Sequence, residues 1–278
     1  MTPDLTLDQL GLATHTTSEL SAEHAERVGA TIDSPTRLQD GDALPLLWHW
    51  AYFTPTAPTS DLGADGHPRL PSGPVSTYPR RMWASGVVEA SGKLIVGEPA
   101  TRTSRIVSSR ESVGRSGALL IVQLEHRYGQ GHDDLIVEEQ TLVYRDAGPP
   151  LPLPVGDHRP SVEGGQWSEH HTLGSATLFR FSAVTFNSHR IHYDQPYATT
   201  VEGYPALVVH GPLTALLVGE SIRRECGREV ARFEFRASAP LFADARFTIV
   251  GTSGTPVTAA VVRNDGTAAM QVSADLSV

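Results

Sequence analysis

The spacing of apolar residues along this chain changes from helical to alternating near residue 81. Upstream, residues 18–28, "SELSAEHAERV", predict a helix capped by Ser18 or Ser21, with acidic residues in its first turn. Residues 44–53, "LPLLWHWAYF", are apolar nearly all round and predict a buried helix. The pattern breaks over 54–79, where Pro55, Pro58, Pro68, Pro71, Pro74 and Pro79 stand among glycines. A loop this long suits a lid or a pocket wall. Between 81 and 145, "MWASGVVEA", "PATRTSRIVSSRES", "ALLIVQLEHRYG" and "LIVEEQTLVYR" alternate or run apolar and predict four strands.

A proline-rich stretch at 146–160, "DAGPPLPLPVGDHRP", reads as a linker. It separates an N-terminal unit, 1–147, from a C-terminal unit, 166–278, with 148–165 between them. In the second unit "TLFRFSAVTF" (177–186) predicts a strand. A buried helix follows at about 212–226, with Pro212 in its first turn and Arg223 and Arg224 near its end. Four more strands come after it, and "RNDGT" at 263–267 predicts a hairpin turn. Each unit thus reads as a buried helix followed by a four-stranded antiparallel run, a duplicated α+β design.

Composition narrows the function. The 278 residues are 40% hydrophobic, enough for a core and against disorder. Net charge is −9, unevenly spread: residues 1–150 carry 12 basic and 19 acidic groups, and 151–278 carry 10 and 12. An acidic surface argues against nucleic acid as the main partner. Cys226 stands alone, so no disulfide forms within the chain, which fits a reducing compartment. Lys93 is the one lysine and sits in no Schiff-base motif. The amino terminus lacks a signal-peptide pattern and no run of 18 apolar residues occurs, so the expectation is a soluble cytoplasmic protein without membrane contact.

Candidate chemistry concentrates at 185–198, "TFNSHRIHYDQPYA". Three readings compete: an ordinary polar loop; a metal site of His189, His192 and Asp194; and an acid–base site. Spacing disfavours the metal, because His189 and His192 are three apart in a turn and no second ligand cluster accompanies them. Acid–base work fits best. Histidine as a type titrates near neutrality, so His192 could take and return a proton, and Asn187, five residues earlier, can hold a water.

"FRFSAVTFNSHRIHYDQPYA" followed by "EGYPALVVHGPL" resembles the hydratase motif of the MaoC-like hot-dog proteins. Phe186-Asn187 stands where that motif usually has Gly-Asp, and His189-Arg190 where it has Asn-Pro. These departures are similar to the branch of mesaconyl-C4-CoA and itaconyl-CoA hydratases and hydroxyacyl-thioester dehydratases of type 2. "LPLLWHWAYF", "PRRMWASG" and "GRSGALLIVQLEHRY" resemble the amino-terminal segment of that branch. The resemblance implies an α+β double hot-dog, two antiparallel sheets each wrapped around a central helix. The C-terminal unit is then catalytic, and the N-terminal unit a non-catalytic partner that shapes the acyl pocket. It implies hydration of a 2-enoyl-CoA, most readily a short dicarboxylic one, or the reverse dehydration, with no cofactor and no metal. His192 would act as base, Asn187 would orient water, and Gly211 would offer its N–H to the thioester oxygen. Arg190, His189, Tyr193, Arg81 and Trp83 are candidates for substrate contact, and Arg80 is a weaker one. His210 is expected to be structural. Asp194 either orients a histidine or caps the helix after it. Trp48 and Trp50 are expected in the core.

Three rivals stand beside this reading: a dehydratase acting on acyl carrier protein, a non-catalytic acyl-thioester-binding subunit, and a thioesterase. A thioesterase would need a carboxylate that the motif does not place. Two units in one chain form a pseudo-dimer by themselves, so a monomer and a homodimer are both open.

Overall fold

The computed structural model describes residues 13–69, 78, 80–114, 117–161, 163 and 166–277. Pro71, Pro74 and Pro79 of the expected loop, and part of the expected linker, lie outside these residues. The chain begins with strand β1 (Thr14–Glu19) and helix α1 (Ala22–Thr31). Ser21 caps α1 by accepting from the His24 N–H at 3.3 Å. Strands β2 (Arg80–Ala90), β3 (Pro99–Gly114), β4 (Gly117–Gln130) and β5 (Asp133–Arg145) complete the first unit. The second unit runs β6 (Gln166–Thr172), α2 (Ser175–Val184), α3 (Gln195–Thr200), α4 (Gly211–Cys226), β7 (Val230–Ala237), β8 (Arg246–Thr252), β9 (Val257–Arg263) and β10 (Ala268–Leu276).

The strand order is β1-β3-β4-β5-β2-β7-β10-β9-β8-β6. Each unit therefore repeats one topology, first strand, third, fourth, fifth, second, and the two join through their second strands. The antiparallel β2–β7 pairing sets Gly86 opposite Phe235 and Val88 opposite Phe233. The α+β double hot-dog architecture is present, with its two sheets fused edge to edge into one.

Several predicted elements take another form. "TLFRFSAVTF" is mostly helix α2, not a strand. Leu178, Phe181 and Ser182 are buried and Phe179 is 65% exposed, so spacing of three and four fixes the buried face. "LPLLWHWAYF" makes only one turn of 3₁₀ helix, Trp48–Ala51, and Leu47, at a left-handed φ of 77° just before it, keeps the upstream residues out of the helix. Its side chains are nonetheless core, as expected of Trp48 and Trp50. Only the C-terminal unit thus has a long central helix among the described residues. Strands β1 and β6 have no signal in the apolar pattern, since both are polar edge strands.

Helix α4 is buried from Leu213 to Ile222 and packs on β7, β8 and β9. It also binds the first unit. Buried Glu220 accepts from Trp48 Nε1 at 2.9 Å and Ser34 Oγ at 3.0 Å, and it pairs with Arg223. The functional motif lies where the amino-terminal end of α4 meets the first unit.

Candidate active site

Helix α2 ends in a turn that aims the motif. Phe186 adopts φ 48°, its N–H donates to the Ala183 carbonyl, and the Asn187 N–H donates to the Ser182 carbonyl at 2.8 Å. This pair of hydrogen bonds is the Schellman termination common at helix ends, here without the usual glycine. Asn187 Oδ1 accepts the His189 N–H at 3.0 Å, which tightens the next turn.

His192 follows on a single 3₁₀ turn, Arg190–His192. Its Nδ1 donates to the Val208 carbonyl at 2.7 Å, while the Val208 N–H donates back to the Ile191 carbonyl. The carbonyl fixes the tautomer: Nδ1 carries the proton and Nε2 is a free acceptor. Among the described residues Nε2 has no hydrogen-bond partner, and the ring lines the inner cavity described below. Burial lowers the His192 pKa to about 4, with the bond to Val208 opposing and the charge of His67 adding to the fall. The imidazole is a neutral base at pH 7.

Four imidazoles stand in a row. His67 and His189 are 4.1 Å apart between ring centroids, His189 and His192 5.3 Å, and His192 stacks on His210 at 3.6 Å. Burial, then the neighbouring rings, holds His189 and His210 well below the usual range. His210 Nε2 meets Ser182 Oγ at 2.9 Å, a bond that supports a structural part for this residue.

Two cavities meet at this row. The inner one, about 240 Å³, is lined by Trp50, Trp83, His189, His192, Val209 and Gly211, among others. The outer one, about 330 Å³, is walled by the proline-rich loop and by Phe179, Phe186 and Tyr193. His67, Arg81 and Asn187 line both. Gly211 is the first residue of α4, so its N–H has no acceptor within the helix. A side chain there would meet Trp83, since a Cβ would lie 2.8 Å from its Cε3. Trp83 in turn stacks on Phe235 at 3.8 Å.

The structure brings His192, Asn187, Gly211, His189, Arg81 and Trp83 together, with Tyr193 on the outer rim. Arg190 is placed elsewhere. It lines neither cavity, holds Asp194 Oδ2 at 2.8 Å and the Ala64 carbonyl, and lies 4.1 Å over the Tyr197 ring. Asp194 touches no histidine; its Oδ1 caps α3 through the Tyr197 N–H. Arg80 is buried against Glu202 at 3.2 Å. The His189, His192, Asp194 metal set is therefore not assembled. A different donor set is: ligand atoms of Asp65, His67 and His189 lie within 4.8 Å of one another.

Sequence reasoning missed Asp65 and His67. The available signal was "GADGHP" at 63–68, an acid and a histidine in a glycine-framed turn within the predicted pocket wall.

A model of the family described as hydroxyacyl-thioester dehydratase type 2 matches residues 47–243. The chain is 38% identical over 270 residues to mesaconyl-C(4)-CoA hydratase of Chloroflexus aurantiacus, covering 96% of each. It is 28% identical over 235 residues to the mitochondrial hydroxyacyl-thioester dehydratase type 2 of Schizosaccharomyces pombe, covering 74% of this chain and 75% of that protein. In fold it is similar to a MaoC-like dehydratase of Phytophthora capsici, at TM-score 0.70 and 14% identity over 99% of this chain and all of the other. The chain belongs to the hydroxyacyl-thioester dehydratase type 2 family and is an enzyme of the hydro-lyase class.

Proposed function

We propose that this enzyme reversibly adds water across the conjugated double bond of a short 2-enoyl-CoA, a dicarboxylic one such as mesaconyl-C4-CoA or itaconyl-CoA above others. The observation that carries this reading is the His192 imidazole, held at Nδ1 by the Val208 carbonyl and lining one cavity with Asn187 and Gly211. His192 takes a proton from water as the oxygen attacks the β-carbon. Electron density moves to the thioester oxygen, where the Gly211 N–H and the positive end of α4 stabilise it. The resulting imidazolium returns the proton to the α-carbon. Asn187 orients the water and transfers no proton. The C-terminal unit supplies these groups, and the N-terminal unit supplies the pocket wall.

Preference for a dicarboxylic acyl chain is supported by the similarity to the Chloroflexus hydratase and by Arg81, a cation that lines both cavities. The test is hydration followed by loss of the ultraviolet absorbance of the enoyl thioester, with mesaconyl-C4-CoA, itaconyl-CoA and crotonyl-CoA side by side and His192→Ala as control. Fast turnover of a dicarboxylic substrate, lost in His192→Ala, is expected. Preference for crotonyl-CoA would favour a fatty-acyl dehydratase. Equal turnover in His192→Ala would overturn the assignment of the base.

A further inference from the structure

We propose that His67, oriented by Asp65, is a second catalytic residue, contributed by the N-terminal unit to hold the attacking water. This rests on the hydration reading above.

The starting point is the placing of 61–69. The Gly63 N–H donates to the His67 carbonyl at 2.6 Å and the Arg69 N–H to the Asp61 carbonyl at 2.7 Å, so the segment closes as a small hairpin. Its tip is sewn to the motif. The Arg190 N–H donates to the Asp65 carbonyl at 2.8 Å, Ser188 Oγ to the Gly66 carbonyl at 2.5 Å, and Arg190 Nη1 to the Ala64 carbonyl at 2.8 Å. Gly66, at φ 88°, lies so close that a Cβ would sit 1.9 Å from the Ser188 carbonyl oxygen. The hairpin is a fixed part of the site.

Asp65 Oδ2 accepts from His67 Nδ1 at 2.9 Å, and its Oδ1 accepts the His67 N–H at 3.0 Å. A carboxylate on Nδ1 leaves Nε2 as a bare acceptor. Among the described residues that Nε2 has no hydrogen-bond partner, and the ring lines both cavities beside Asn187. Burial works against the Asp65 charge, but the bond to His67 and the charges of His67 and Arg81 hold its pKa below the usual range.

Donor and acceptor bookkeeping then gives His67 a task. An attacking water has two O–H groups to donate and needs one lone pair free for the β-carbon. His192 Nε2 accepts one O–H. The Asn187 carbonyl oxygen is engaged by the His189 N–H, so Asn187 presents its NH₂ to the cavity and donates to the water. The second O–H requires another acceptor, and Nε2 of His67, a ring lining the same cavity as His192 and Asn187, takes that part. In the step itself one water O–H bond breaks toward His192, the C–O bond forms at the β-carbon, and the same proton reaches the α-carbon. Nothing else is consumed. His67 holds the unbroken O–H throughout, and Asp65 is a positioning residue that keeps its Nε2 bare.

The experiment measures kcat and KM of His67→Ala, Asp65→Asn and Asp65→Glu on the best of the three thioesters, with thermal melting as the folding control. His67→Ala should lose about 100-fold in kcat with KM little changed, and added imidazole should restore part of it. Asp65→Asn presents an amide N–H to the ring, reverses the tautomer and should fall comparably, while Asp65→Glu recovers. A His67→Ala enzyme that melts normally and keeps full kcat, beside an inactive His192→Ala, would overturn this inference and leave the hydration reading intact. Activity lost to EDTA and restored by zinc would also overturn it, giving Asp65, His67 and His189 to a metal.

Discussion

Substitution of Gly211 by alanine separates packing from chemistry at the mouth of α4. The new Cβ would lie 2.8 Å from Trp83 Cε3, so the indole must retreat about 0.7 Å to reach an ordinary contact of about 3.5 Å. Phe235, stacked on it at 3.8 Å, and Trp50, edge-on at 5.5 Å, block two directions. The inner cavity, which Trp83 already lines, is the way left open. Overpacking costs about 1–3 kcal/mol, and the open side puts this site at the low end. At about 2–4 °C per kcal/mol for a chain of this size, the expected fall in Tm is about 2–6 °C. The displaced ring would narrow the acyl site and turn the Gly211 N–H from the thioester oxygen, and loss of one such donor costs about 100-fold or more in kcat. Gly219→Ala is the control. It lies on the same helix, and its Cβ would meet Leu47 Cδ1 at 2.9 Å, the end of a flexible side chain. Melting curves and kcat/KM should show similar stability losses for the two variants but an activity loss only for Gly211→Ala. Equal activity in both would refute the placing of Gly211 at the reacting oxygen.

Other outcomes follow from the same geometry. Glu138 is fully buried and accepts from Trp50 Nε1 at 2.9 Å, Tyr128 Oη at 2.7 Å and Gln140 Nε2 at 2.5 Å. Glu138→Ala orphans all three donors and should cost about 3–5 kcal/mol in urea unfolding. Burial lowers the pKa of both His126 and His192 to about 4, against 6.5 for the free side chain. The unfolded chain therefore binds more protons between these values. The stability these groups contribute is complete above pH 6.5 and is lost as pH falls toward 4, by about 1.4 kcal/mol per unit per group. Urea midpoints at pH 7, 5.5 and 4.5 should fall accordingly; a flat profile would contradict neutral buried imidazoles. Arg190→Ala should lower Tm while leaving KM within about twofold, since the guanidinium serves Asp194 and the hairpin tip.

Much of this was legible in the sequence. The long strands and α4 announce themselves by apolar rhythm and by Pro212 at the helix start. His192 and Asn187 stand in a motif dense enough to read. Helix α2 reads as a strand because Phe179 and Phe181 suggest alternation, while burial selects Leu178, Phe181 and Ser182. Arg190 reads as a ligand contact because a charge in a motif invites one, whereas the structure pairs it with Asp194 one helical turn away. His67 escaped because its meaning depends on a docking across 122 residues, from Gly66 to Ser188, which no local pattern encodes.

The joining of β2 to β7 carries a consequence for how such a chain can arise and diverge. Both strands hold the same place in their units and pair antiparallel, so the seam is the self-complementary contact a two-fold dimer would make. Separated, each unit would expose an unpaired edge and seek a second copy of itself. Tethered, each always meets the other, and the requirement that both faces carry the same residues disappears. One copy could then keep the imidazoles while its sibling gave up its central helix for a hairpin that reaches across the seam. Covalent linkage thus turns a symmetric pair into an asymmetric pocket, with each side free to be selected for a different task.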